Sequence, residues 1–135
     1  MSSVRAIAVG LTFGFGLAFA LACIAAGVWW ALGITRPPDE DYHAMTWLVG
    51  FLVWGGAAMS GWFIAARDAT RPLWSAAIAG GVIFLVQAAF TPYAAASWTI
   101  TLRWLAIYGI IPVACAHAGA LANLALSRRR EMENA

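Results

Sequence analysis

From Ala6 to Ile34 this chain carries no charged side chain, and three further apolar stretches follow, divided by short clusters of charge. An apolar run of about 18 or more residues is long enough to cross a bilayer. A helix is the one open-ended element that satisfies every backbone polar group there without help from water. The pattern therefore predicts an all-α polytopic membrane protein, a four-transmembrane-helix bundle forming a single membrane domain over 1–135. Its spans fall at approximately 6–34, 44–66, 72–91 and 102–126.

Composition excludes a water-soluble alternative. The chain is 63% hydrophobic and 10% charged, against roughly 45–50% and 25% in ordinary soluble domains. Eight basic and six acidic side chains cannot cover a globular surface. No basic stripe suited to nucleic acid is present. Arg5 before an apolar run, with Ala20-Leu21-Ala22-Cys23 inside it, has the outline of a lipoprotein leader. The run continues to Ile34, so the segment is expected to stay as the first span. Cys23 and Cys115 lie inside apolar runs without paired spacing and suggest neither a redox motif nor a disulfide.

The linkers carry helix-end signals. Pro37-Pro38 is expected to stop the first helix, and Asp39, Glu40 and Asp41 suit the positive end of the second. In Arg67-Asp68-Ala69-Thr70-Arg71-Pro72, Thr70 is the expected cap and Pro72 lies in the first turn. Thr91-Pro92 closes the third helix, and Ser97 or Thr99 caps the fourth. All eight cations are arginine, with Arg5, Arg67, Arg71 and Arg128-Arg129-Arg130 on one side of the four-span model. Only Arg36 and Arg103 fall on the other. The positive-inside rule then places both termini in the cytoplasm, with the cell inner membrane as the location, and argues against dual topology.

Small residues let membrane helices approach closely. Gly10, Gly14, Ala18, Ala22 and Ala26 recur every four residues along the first span and are expected to form a packing interface. Ala57, Gly61 and Ala65 repeat the device in the second span, as do Ala76 and Gly80 in the third. The fourth shows no such clear seam. Of eight tryptophans, Trp29, Trp30, Trp47, Trp98 and Trp104 fall near the outer boundary and Trp74 near the inner one, as an aromatic belt requires. Trp54 and Trp62 lie deeper. Trp47 and Trp54 share a face on which a quinone or pigment would stack, although a lipid-facing or core stripe explains the same residues.

Few ionisable or amide side chains remain inside the spans: His117, Gln87, Arg103 and Asn123. No carboxylate falls within a span, which a proton-coupled exporter of this size would need. His43 lies on the opposite side from His117, so one haem cannot take both. His117 is expected to be structural, bonded to neighbouring backbone or to Gln87; with Gln87 and Trp54 it completes the candidates for cofactor binding. Asp39, Asp41 and His43 lack a fourth strong metal ligand, and no Ser or Cys stands beside a plausible base. Pro112, with Gly109 nearby, is expected to kink the last helix.

These features imply no metal, no cofactor and no catalytic residue. They favour a non-catalytic accessory or assembly subunit of a larger membrane complex, with the lipid bilayer and other membrane subunits, or further copies of the chain, as partners. The alternative is a homo-oligomeric channel or transporter for a small solute. The length also suits small multidrug exporters, fluoride channels and membrane-bound glutathione-metabolising enzymes, but the residues those depend on are missing.

Overall fold

The computed structural model describes residues 2–34, 40–90 and 98–134, with side chains placed throughout except at 40–43, 45–46, 88–90 and 98–108. These residues form four helices and no strand: α1 (Ser3–Ala31), α2 (Glu40–Ala65), α3 (Pro72–Phe90) and α4 (Trp98–Glu133). The whole of α1, Trp47–Ala65 of α2 and Gly109–Glu133 of α4 are long and apolar enough to cross a membrane. The Pro72–Gln87 stretch of α3 is apolar but shorter. The central helix is α2, which packs on each of the other three; α3 also touches α1 and α4.

Helix α1 is not uniform. It runs as α-helix over Ser3–Gly10, as π-helix over Leu11–Gly16 and as α-helix again over Leu17–Ala31. The π turn has a geometric consequence for the small-residue ridge. Residues four apart drift by about 40° per step around a regular helix, so a straight ridge of five would rotate off its partner. A π turn is wider and rotates the chain less per residue, which offsets part of that drift. Gly10, Gly14, Ala18 and Ala22 are accordingly all buried, while Ala26 at the end is only half-buried. Thr12 Oγ1 donates back to the Ala8 carbonyl at 2.9 Å within the same stretch.

The first helix ends earlier than the sequence suggests. Gly33 adopts φ of 79°, its N–H donates to the Trp30 carbonyl at 3.0 Å and the Ile34 N–H to Trp29 at 3.1 Å. That pair of bonds is a Schellman closure, in which glycine takes the left-handed position at no steric cost. Gly33 therefore stops the helix, and Pro37-Pro38 lies outside the described residues. At the other end of the chain α4 overruns its expected limits in both directions. It starts at Trp98 and passes through Pro112 to Glu133 without interruption. Pro112 is wholly buried. Thr99 falls inside that helix, and Ser97 and Thr91-Pro92 lie outside the described residues.

The interior divides into two clusters. Phe15, Ala22, Val53, Ala57 and Ile83 form one, flanked by Phe19, Trp54 and Cys115. Ala65, Ala76, Ala116 and Ala120 form the other, toward the end of the bundle that holds the α2–α3 turn. The outward faces carry Phe13, Leu17, Ile24, Trp47, Phe51, Leu85 and Ile110, all exposed. Large exposed apolar residues on every described face suit a lipid solvent and not water.

Candidate functional site

Three places in the bundle concentrate chemistry: the glycine crossings, the α2–α3 turn and the aromatic face of α2. At the first crossing, Gly14 lies so close to α2 that a Cβ there would stand 2.6 Å from Ser60 Cα and 2.7 Å from Ser60 Oγ. A Cβ on Gly10 would meet the Ser60 carbonyl at 2.9 Å, and one on Gly56 would meet the Ala18 methyl at 2.5 Å. The backbones of α1 and α2 are nearly in contact, as small-residue seams permit.

A second crossing joins α2 to α4. A Cβ on Gly61 would fall 3.0 Å from Ala116 Cα, and one on Gly119 3.1 Å from Ala58 Cα. On α3, a Cβ on Gly80 would reach Val113 Cα at 2.6 Å. The last helix thus has its own seam of Ala116, Gly119 and Ala120, contrary to the expectation that it lacks one. The signal is present in the sequence as Ala116-x-x-x-Ala120, but alanine is so frequent in this helix that periodicity alone does not single it out.

The α2–α3 turn holds a group that no local sequence signal singles out. Asp68 is fully buried although it sits between helices. Its Oδ1 accepts from the Thr70 hydroxyl at 2.8 Å and from the Thr70 and Arg71 N–H groups at 3.1 Å each. Its Oδ2 accepts from Ser75 Oγ at 2.5 Å. The carboxylate, and not Thr70, therefore closes the start of α3; the Thr70 hydroxyl is spent donating to it. The Ser75 hydroxyl, then Ser3, then Thr70 and the Arg71 N–H hold the Asp68 carboxyl well below the usual carboxylate range, against the opposing effect of burial. The bond from Ser3 ties the first turn of α1 to the same oxygen cluster. An ionised carboxylate beside two helix starts is also favoured by their dipoles.

On α2, Phe51 lies between Trp47 and Trp54, with ring centroids 6.0 Å and 5.6 Å away, and the two indoles are 6.4 Å apart edge to face. Trp47 and Phe51 are exposed, while Trp54 packs against the larger core cluster. Among the described residues, Trp54 Nε1 and the wholly buried Ser60 Oγ have no hydrogen-bond partner. The rings fill one another's faces, so the stripe packs as a unit and Trp54 belongs to the core. Gln87 on α3 is half-buried and engaged in interactions of its own.

His117 lies half-buried on α4, its Nδ1 within 3.2 Å of the Val113 carbonyl one turn back. That is a bond within its own helix, with no second residue drawn in among those described. Asn123 is also half-buried, and its carbonyl accepts from Ser127 Oγ at 3.1 Å. Among the described residues no group of His, Cys, Asp and Glu is placed to hold a metal ion. Asp39 lies outside those residues, and the side chains of Asp41, His43 and Arg103 are not among those described. Gly109 faces the Phe84 ring, which a Cβ would meet at 3.6 Å. The two cysteines are free, Cys23 on the outer face and Cys115 half-buried.

The arrangement can pack helices and fix one end of the bundle; the candidates for cofactor binding, His117, Gln87 and Trp54, are spread over three helices. No family model, no curated protein and no solved structure matches this chain.

Proposed function

We propose that this chain is a four-span, non-catalytic accessory or assembly subunit of a larger complex in the cell inner membrane, with both termini in the cytoplasm. One observation carries the reading. While the Gly10–Ala22 ridge of α1 is consumed against α2, a second row of small residues on the same helix faces outward. Ala8, Thr12, Gly16, Ala20, Gly27 and Ala31 are all exposed, and among the described residues a Cβ on Gly27 would meet nothing within 4 Å. Glycine inside a helix costs up to about 1 kcal/mol relative to alanine. A glycine that no described neighbour requires is accounted for by a helix from outside the chain.

The fourth crossing is supplied by α3. Its nineteen residues span about 28 Å, close to the ~30 Å hydrocarbon core. With Ile83 in one cluster with Val53 and Ala57, α3 returns along α2 from the Asp68 turn. Both termini then fall on the arginine-rich side, consistent with the positive-inside rule.

Purification from the native membrane in mild detergent, followed by mass spectrometry, tests the assignment. A discrete set of membrane subunits that is lost on Gly16→Leu or Gly27→Leu, with the bundle still folded, supports it. A lone homo-oligomer supports the channel or transporter reading instead. Topology is tested with a reporter active only in the cytoplasm, expected to work after Ala135 and to fail at Asp39. The turn at 68–70 is unsuitable for insertion because Asp68 is buried and bonded there.

A further inference from the structure

Six arginines stand at one end of the bundle: Arg5, Arg67, Arg71 and Arg128-Arg129-Arg130, all exposed. Three carboxylates share that end, Asp68, Glu131 and Glu133. Asp68 is buried and committed to Ser75, Thr70 and the Arg71 N–H. It contributes no side-chain partner to the guanidinium groups on either side of it.

Arg67 is the most informative of the six. An arginine at the end of a membrane helix ordinarily extends its head away from the hydrocarbon into water. Arg67 folds back along α2 instead. Its guanidinium lies over the Phe63 ring, 5.4 Å from the centroid, and Nη1 approaches the Phe63 carbonyl at 3.4 Å. The charge is thus held one turn toward the bilayer, against an aromatic face. Trp74 marks the same depth on α3: it is 66% exposed and one turn past Arg71, where an amphipathic indole sits at the headgroup boundary. A planar guanidinium at that depth is matched by a phosphate diester, which takes two parallel N–H bonds.

We propose that Arg67 and Arg71, with Trp74 as the apolar wall, form a site for the phosphate of an anionic phospholipid. The remaining arginines hold further headgroups more loosely around the same end. This does not depend on a partner subunit, only on the chain crossing a bilayer.

Full-length protein is purified in a neutral detergent and titrated with phosphatidylglycerol, phosphatidylcholine or inorganic phosphate at equal phosphate concentration. Bound lipid is counted by native mass spectrometry. Phosphatidylglycerol is expected to be retained and to raise the melting temperature, phosphatidylcholine and inorganic phosphate much less. Each arginine near a charged surface contributes about fivefold in affinity. Arg67→Gln/Arg71→Gln should therefore weaken phosphatidylglycerol binding roughly 25-fold, and Arg128→Gln about fivefold or less. Arg67→Lys, which keeps the charge but loses the fork, should fall between wild type and Arg67→Gln. Equal retention of the two lipids overturns the proposal, as does a response to inorganic phosphate equal to that of the lipid, which marks a free-anion site. Unchanged binding in the double variant overturns it as well. Should the double variant not fold, the wild-type comparison of the three additives remains decisive.

Discussion

Replacing Gly14 with alanine tests whether the α1–α2 crossing holds the bundle together. The new methyl would stand 2.6 Å from Ser60 Cα, against an ordinary carbon–carbon separation of about 3.5–4.0 Å. The neighbour is helix backbone, which has no rotamer to yield, so α1 must retreat by about 1 Å. A gap of that size forfeits roughly a quarter to a half of each dispersion contact, and the loss extends along the seam to Gly10 against Ile64 and to Ala18 against Gly56. Overpacking of this kind costs about 1–3 kcal/mol. Gly27→Ala is the matched control, since no described residue lies within 4 Å of its added methyl; helix propensity alone should make it neutral or up to about 1 kcal/mol more stable. Reversible unfolding in mixed micelles, followed by tryptophan fluorescence, should separate the two variants by about 1–4 kcal/mol. Equal stability would refute the reasoning and put the Gly10–Ala22 ridge against lipid.

Asp68→Asn should lower the melting temperature, and Asp68→Ala should lower it further, because five donors converge on this carboxylate, the Ser3 hydroxyl among them. The folded-state pKa of Asp68 is depressed, so its contribution is present above the unfolded value near ~3.9 and fades as pH falls below it. Wild-type stability should be level from about pH 7 to pH 5 and decline below about pH 4, with a smaller decline in Asp68→Asn; matching acid profiles would show that the carboxylate is not the sensor. For His117, the only bonded partner among the described residues is a carbonyl of its own helix, whose place in the helical ladder is also served by the backbone N–H of residue 117. Both His117→Gln and His117→Leu should therefore leave thermal stability nearly unchanged, and a folded His117→Gln protein lacking all cellular function would show a ligand role instead.

The sequence by itself determined that the chain is helical and built for a bilayer, because runs such as Ala6–Ile34 leave no other place for the backbone's polar groups. It also located Pro72 at the start of α3 and the four-residue spacing of the α1 ridge, both of which depend on residues near one another in the chain. Even locally it misread one signal, giving the end of α1 to Pro37-Pro38 when Gly33 reverses the backbone first. What only the tertiary structure decided involves residues far apart in sequence. Asp68 reads as an ordinary turn residue until Ser3 and Ser75 are brought to its oxygens. The seam of Ala116, Gly119 and Ala120 is indistinguishable from alanine richness until Ala58 and Gly61 lie against it. The π turn in α1 leaves no reliable mark in sequence, since the drift it offsets matters only where the ridge has a neighbour, α2, to follow. In each case the deciding quantity is a distance between helices, and local propensity and periodicity carry no information about it.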